Sequence, residues 1–168
     1  MVERVDPAFG LGDREMLESW LEFHRATLLM KCAGLSRDQL ATRSVPPSSL
    51  SLLGLVRHMA DVERNWFRRV LAGEPAPGIY WSDDNEDGDF NDIDAADDAE
   101  AFATLANECD HARSVAAEFG SLDDVGTGLR QGEPVSLRWI YVHMIEEYAR
   151  HNGHADLLRE RIDGVTGD

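Results

Sequence analysis

Apolar positions recur at alternating steps of three and four over four long stretches of the chain, and no segment shows convincing strand alternation. The first stretch predicts a helix from about Asp13 to Cys32, with Asp13 as its cap and Met16, Leu17, Trp20, Leu21, Phe23, Ala26, Leu28 and Leu29 on its apolar side. Gly34 ends it, and the pair Pro46-Pro47 bars a helix from the linker that follows. A second helix is expected from about Ser49 to Leu71, burying Leu52, Leu55, Val56, Met59, Val62, Trp66, Phe67 and Val70, with Gly73 and Pro75 as its stop. The third runs from about Asp97 to Glu118 and closes at Gly120, and the fourth from about Ser136 to Ile162, ended by Gly164.

Amphipathic helices of this length bury their stripes best against one another, so the expected fold is all-α, a four-helix bundle in a single domain spanning residues 1–168. Between the second and third helices, residues 74–96 form a long acidic loop containing Ile79-Tyr80-Trp81 and a run of Asp. A loop of that length in a compact domain is more often functional than idle. Trp20, Trp66 and Trp139 read as core residues, whereas Trp81 lies in the loop, where it can line a pocket mouth.

Charge narrows the range of partners. The chain carries 32 acidic against 16 basic side chains, a net charge of −16, which repels nucleic-acid phosphates and anionic lipid. No apolar run reaches the roughly 20 residues of a membrane-spanning helix, and the N-terminus lacks the pattern of a secretion signal, so a cytoplasmic protein is expected. Cys32 and Cys109 have no metal-type spacing and are expected to be free, buried thiols.

The fourth helix carries the candidate chemistry. Leu137, Tyr141, Met144, Tyr148, His151, Ala155, Leu158 and Ile162 form its core-facing stripe, and Glu147 precedes His151 by one turn. A carboxylate near the core needs a cation or a donor. On the second helix, His58 lies between Leu55 and Val62 at the border of the apolar face. Two imidazoles and a carboxylate suit Zn²⁺, with Ni²⁺ or Fe²⁺ as alternatives, and leave positions open for water or substrate. Spacing alone leaves His143 with Glu147, and His151 with His154, as rival pairs. It excludes His143 with His151, which lie roughly 12 Å apart along the axis. Arg57, Arg64 and Arg150 sit near these residues in sequence and are candidates for holding a substrate carboxylate. In the acidic loop, Asp83, Asn85, Asp87 and Asp94, with Gly88, match a calcium-loop spacing, but Pro75, Pro77 and Gly78 deny it an incoming helix.

The segment from Ser49 to Phe67, containing Leu55-Val56-Arg57-His58-Met59-Ala60-Asp61, resembles the second helix of the DinB-like superfamily. The stretch Trp139 to Asp156, with His143-Met144-Ile145-Glu146-Glu147-Tyr148-Ala149-Arg150-His151, resembles the fourth helix of its actinobacterial domain-of-unknown-function branch, related to mycothiol-dependent transferases. The similarity runs over nearly the whole chain. It implies a bundle that binds a metal through one His of the second helix and two residues of the fourth. In many relatives that last pair is His and His. Here the earlier position is Glu147, which is similar to the His/Glu/His set of mycothiol-dependent maleylpyruvate isomerase. The resemblance therefore selects His58, Glu147 and His151 as ligands.

The function expected from this is metal-dependent S-transfer or isomerisation, in which the metal activates a small-molecule thiol such as mycothiol for attack on an electrophile. The rival expectation is a non-catalytic binding or stress-response bundle with a structural or absent metal. Related bundles suggest a homodimer.

Overall fold

A computed structural model describes residues 3–167. The long helices are α1 (Asp13–Cys32), α3 (Leu52–Glu63), α5 (Asp98–Ala117) and α6 (Leu137–Asp163), with short helices α2 (Arg37–Ala41) and α4 (Gly88–Asn91) between them. Strands are absent among the described residues, and no helix is long and apolar enough to cross a membrane. α1 packs along α6 and α3 along α5, enclosing Leu21, Leu28, Leu52, Leu55, Met59, Phe67, Leu137, Ile140, Met144 and Tyr148. Burying such side chains contributes about 1.5–3 kcal/mol each, which is what holds the four stripes together.

The helix ends follow their local chemistry, with two departures from the expected boundaries. Gly12, not Asp13, is the N-cap of α1; Asp13 sits inside the first turn, where a carboxylate complements the helix dipole. α3 begins at Leu52 rather than Ser49, because the buried Ser51 side chain accepts from the Gly54 N–H at 3.0 Å and so fixes the start. Ser136 and Asp97 cap α6 and α5 in the same manner, and Gly164 ends α6 at φ +78°. Trp20 and Trp139 depart further: they are 40% and 49% exposed, and of the expected core tryptophans only Trp66 is buried.

α3 does not end at Glu63 but continues as a π-helical segment, Arg64–Leu71. Its closing bond runs from the Ala72 N–H to the Phe67 carbonyl. Such wide turns are frequent at functional sites. Two of its carbonyls, on Val70 and Leu71, accept from the N–H groups of Gly128 and Thr127 at 3.1 and 3.0 Å. Gly128 is required there, since a Cβ would lie 1.9 Å from the Arg69 carbonyl oxygen. The turn-rich segment before α6 is thereby fastened to the end of the π-helical segment.

The acidic connection between that segment and α5 is tied down rather than loose. Arg57 donates to the carbonyls of Asp92 and Gly88, and its guanidinium lies 4.3 Å from the Tyr80 ring. Arg37 holds the Ile93 carbonyl at 2.7 Å, and Arg43 holds those of Phe90 and Asn91 at 3.3 Å. Phe90 lies against Gly54, where a Cβ would come within 2.8 Å of its ring. That missing Cβ lets the connection close onto α3 one turn before His58.

Candidate metal centre

His58 from α3 meets Glu147 and His151 from α6 where the two helices face each other. One ligand atom from each of the three lies within 4.8 Å of the others. The His58 and His151 ring centroids are 4.7 Å apart, and Glu147 Oε2 is 3.5 Å from His151 Nε2. Two donors each about 2.1 Å from a tetrahedral ion stand roughly 3.4 Å apart, so this edge has the right length for a shared ion. The side chains of His58, Glu147 and His151 are 25%, 16% and 11% exposed. They are shielded, yet within reach of solvent.

The neighbours of these residues set the face each imidazole presents. Asp89 Oδ2 lies 2.7 Å from His58 Nδ1, and its other oxygen accepts from the Phe90 N–H at 2.9 Å. A carboxylate can only accept, so the proton sits on Nδ1 and leaves the Nε2 lone pair free. His151 Nδ1 faces His154 Nδ1 at 3.3 Å. Burial, together with the adjacent His151 and Arg150, pushes the His154 pKa below the ordinary imidazole value. The hydrogen bond with His151, aided by the charges of His143, His151 and Arg150, holds the Glu147 carboxyl below its usual value against the opposing effect of burial. Glu147 is therefore a carboxylate, as a ligand must be.

Glu147 also belongs to a second group, with His143 and Glu146. His143 Nε2 lies 3.5 Å from Glu147 Oε1, but its ring is stacked on Trp139 at 5.0 Å and meets Trp66 edge-on at 4.5 Å. This group offers one imidazole to two carboxylates on a single helix, a poorer match to zinc chemistry than two imidazoles from facing helices. Among the described residues, no other three His, Cys, Asp or Glu side chains converge in this way, so the acidic side chains of the 83–94 segment do not form a calcium cage. There Asn85 bonds Asp92 at 2.7 Å, and Asp89 is turned inward to His58.

The three arginines singled out by position lie elsewhere. Arg57 is buried and clamps the acidic connection, as described above. Arg64 is 3.0 Å from Glu108 and 3.4 Å from the Pro77 carbonyl. Arg150 is exposed, pairs with Glu146 and reaches Glu147 at 4.0 Å. Arg57 and Arg64 each keep an Nε without a partner, and Arg150 stays open to water.

Two adjoining hollows flank the three candidate ligands. One, of about 400 Å³, is lined by His58, Asn65, Trp66, Arg69, Trp81 and Arg130, with Asp61, Glu86 and Asp89. The other, of about 360 Å³, shares Asn65, Trp66 and Arg130 and continues to Gln131, Trp139, His143 and Glu147. Such volumes suit small molecules. A further hollow of about 340 Å³ between α1, α5 and α6 is lined by Arg14, Arg25 and Arg113, each already paired with Glu18, Glu22 or Glu63. Asp89, Arg69 and Arg130 thus join the site without any periodic signal in the sequence to point to them.

The cysteines contribute no nucleophile. Cys32 and Cys109 are buried and unpaired, and burial pushes both thiols up to about 12. Only a thiolate attacks a disulfide reagent, so the native protein is expected to resist an aromatic disulfide such as Ellman's reagent. Two equivalents should react only after denaturation; rapid labelling of the native chain would contradict the burial.

The chain's fold recurs in a conserved protein from Enterococcus faecalis known from its crystal structure. The two superpose with a TM-score of 0.63 at 16% identity, over 93% of this chain and 100% of that one. No curated protein matches the chain in sequence. A family model described as mycothiol-S-transferase matches residues 16–164, and the chain accordingly belongs to the mycothiol S-transferase family, within the DinB-like bundles.

Proposed function

We propose that the protein is a metal-dependent thiol S-transferase, with His58, Glu147 and His151 holding one divalent ion, Zn²⁺ before Ni²⁺ or Fe²⁺, and a low-molecular-weight thiol of the mycothiol type as co-substrate. What supports this reading is the convergence of two imidazoles and one carboxylate from facing helices, at the junction of two small-molecule hollows, in a chain of this family. A bound ion supplies a Lewis acid that lowers the pKa of a thiol brought to it, so that the sulfur arrives as the thiolate.

The chain's own residues arrange the rest. Asp89 fixes the His58 ring by its Nδ1 edge, and His154 lies against the Nδ1 edge of His151. Phe90 stacks on His58 at 5.1 Å, and Trp66 and Trp139 give the hollow an aromatic wall. Asn65 and Gln131 line the hollows with amides able to orient a polar thiol. In the transfer, sulfur bonds to the electrophilic carbon, the leaving group departs with its bonding pair, and the thiol proton passes to solvent through the open cleft. No side chain of the protein is alkylated.

The test is thiol consumption with mycothiol and iodoacetamide, on protein stripped by a chelator and then reloaded. The expected rate above background appears only with Zn²⁺ or Ni²⁺ and saturates near one equivalent of ion. A reloaded protein that consumes no thiol overturns the proposal.

A further inference from the structure

In a chain this acidic, nearly every arginine has found a partner. Arg14, Arg25, Arg64, Arg68, Arg113, Arg138 and Arg159 each lie within 4.0 Å of a carboxylate in another turn or another helix. Arg4 and Arg57 are held by aromatic rings together with a hydroxyl or carbonyls. Among the described residues, Arg69, Arg130 and Arg161 alone have neither a carboxylate within 4.0 Å nor a side-chain hydrogen bond. Arg161 lies in the last turn of α6, where a cation complements the helix dipole. The other two line one cleft, with His58 in its wall.

Their placement is built into the fold. Arg69 is carried by the π-helical segment, and Arg130 by the turn fastened to that segment through Thr127 and Gly128. The Arg130 guanidinium lies 5.8 Å from the Trp66 ring, so one face rests on an indole while its N–H groups remain available. The acidic neighbours are largely committed: Asp61 accepts from the Ile79 and Tyr80 N–H groups at 2.7 and 3.0 Å, and Asp89 is bound to His58. Glu86, exposed to water, is the remaining acid of the lining. Arg69 and Arg130 are solvent-exposed side chains lining this cleft; two arginines without partners beside one concavity attract an anion, and the guanidinium fork matches a planar carboxylate better than an ammonium would.

We infer that Arg69 and Arg130 form an anion subsite in the cleft beside His58, and that the electrophile taken by this protein carries a carboxylate. The inference deepens the thiol-transfer reading and rests on it for what happens to the ligand, but binding by the subsite needs neither thiol nor metal. A carboxylate held between the two guanidinium groups leaves the body of the molecule extending along the Trp66 wall toward His58, Glu147 and His151.

The experiment starts with metal-free protein and succinate, followed by tryptophan fluorescence, since Trp66 and Trp81 line the cleft. Saturable quenching is expected, weakened about tenfold in Arg69→Ala and in Arg130→Ala, reduced by added salt and absent with succinamide. Arg161→Ala should bind succinate as the parent does. Both cleft arginines lack partners, so the variants are expected to melt with the parent, and a melting scan checks this. No saturable response to succinate, or one unchanged in both variants, overturns the subsite. A second arm compares iodoacetate with iodoacetamide on reloaded protein with thiol. A preference for iodoacetate that disappears in Arg69→Ala supports subsite and transfer together. Equal metal-dependent consumption of both electrophiles, unaffected by Arg69→Ala, removes the subsite and leaves thiol transfer standing. Arginine-dependent succinate binding with no thiol consumed under any condition does the reverse.

Discussion

Replacing His151 by alanine is expected to lower the affinity for a divalent ion by about two to three orders of magnitude, and to take metal-dependent thiol consumption with it. The magnitude follows from apparent binding energies of roughly 10–16 kcal/mol for four-ligand zinc sites, or about 2.5–4 kcal/mol per ligand. His58→Ala should behave alike, because the two imidazoles come from opposite helices and neither can substitute for the other. Asp89→Asn provides a graded comparison. Its amide can still contact His58 Nδ1, but it no longer offers a charged acceptor to hold the proton there, and losses of about 10–100-fold are typical for such outer partners. His143→Ala separates the two groups that share Glu147. If His58, Glu147 and His151 hold the ion, removing His143 leaves near one equivalent bound; if the ion belongs to His143, Glu146 and Glu147, it is lost. Metal content by mass spectrometry and competition with a chromophoric chelator measure all four variants on one scale. A His151→Ala protein that retains parental affinity would remove the proposed centre.

How much of this was legible in the sequence depends on what kind of signal each feature leaves. The α6 stripe was readable because its steps of three and four are imposed by helix geometry, and Leu137, Tyr141, Met144, Tyr148, Ala155 and Leu158 are buried as that period requires. His58 was readable for the same reason, as a polar residue at the edge of an apolar face. The spacing alone did not decide between Glu147 with His151 and the rival pairs, since all lie within one broad face of α6. Asp89 left no such trace. It is one acid in an Asp-rich run, and what distinguishes it is a contact made possible by Gly54 on another helix. The π-helical segment was likewise invisible, because its carbonyls are satisfied by Thr127 and Gly128, far along the chain. Arginine roles were the least legible. Proximity in sequence favoured Arg57, Arg64 and Arg150, yet a guanidinium is free only if no acceptor from elsewhere has claimed it. Glu108 and the carbonyls of Gly88 and Asp92 claim the first two, while Arg69 and Arg130 line one cleft from distant segments. The exposed Trp139 shows the complementary failure: an indole belongs to the cleft wall as readily as to the core.

Glu63→Gln is expected to be the most damaging single change away from the proposed metal ligands, costing about 3–5 kcal/mol. Glu63 is fully buried at the end of α3, and both its oxygens are engaged by Arg25 of α1, at 2.7 Å from Nε and 2.6 Å from Nη2. The Tyr148 hydroxyl of α6 donates to the same carboxylate at 2.8 Å, and the Cys109 thiol of α5 approaches at 3.6 Å. One carboxylate thus ties all four long helices together, next to the turns that carry His58 and Glu147. Burial and the Glu63 charge act on the Arg25 pKa in opposite directions, and Glu63→Gln removes the charge that raises it; because a guanidinium's ordinary pKa lies far above neutrality, Arg25 stays charged when its partner is neutralised. The penalty is that of an unpaired buried cation, and for a domain of this size it should lower the melting temperature by roughly 10 °C or more. The double variant Arg25→Met with Glu63→Leu removes both charges and is expected to regain most of the loss, since well-packed apolar replacements of a buried pair are often neutral or stabilising. Chemical denaturation of the two variants and the parent distinguishes the cases. A Glu63→Gln protein within about 1 kcal/mol of the parent would mean that water reaches the pair and that the four helices are held by their apolar stripes alone. Full recovery in the double variant together with lost metal affinity would mean instead that the pair serves the register of α3 against α6, and through it the distance between His58 and His151.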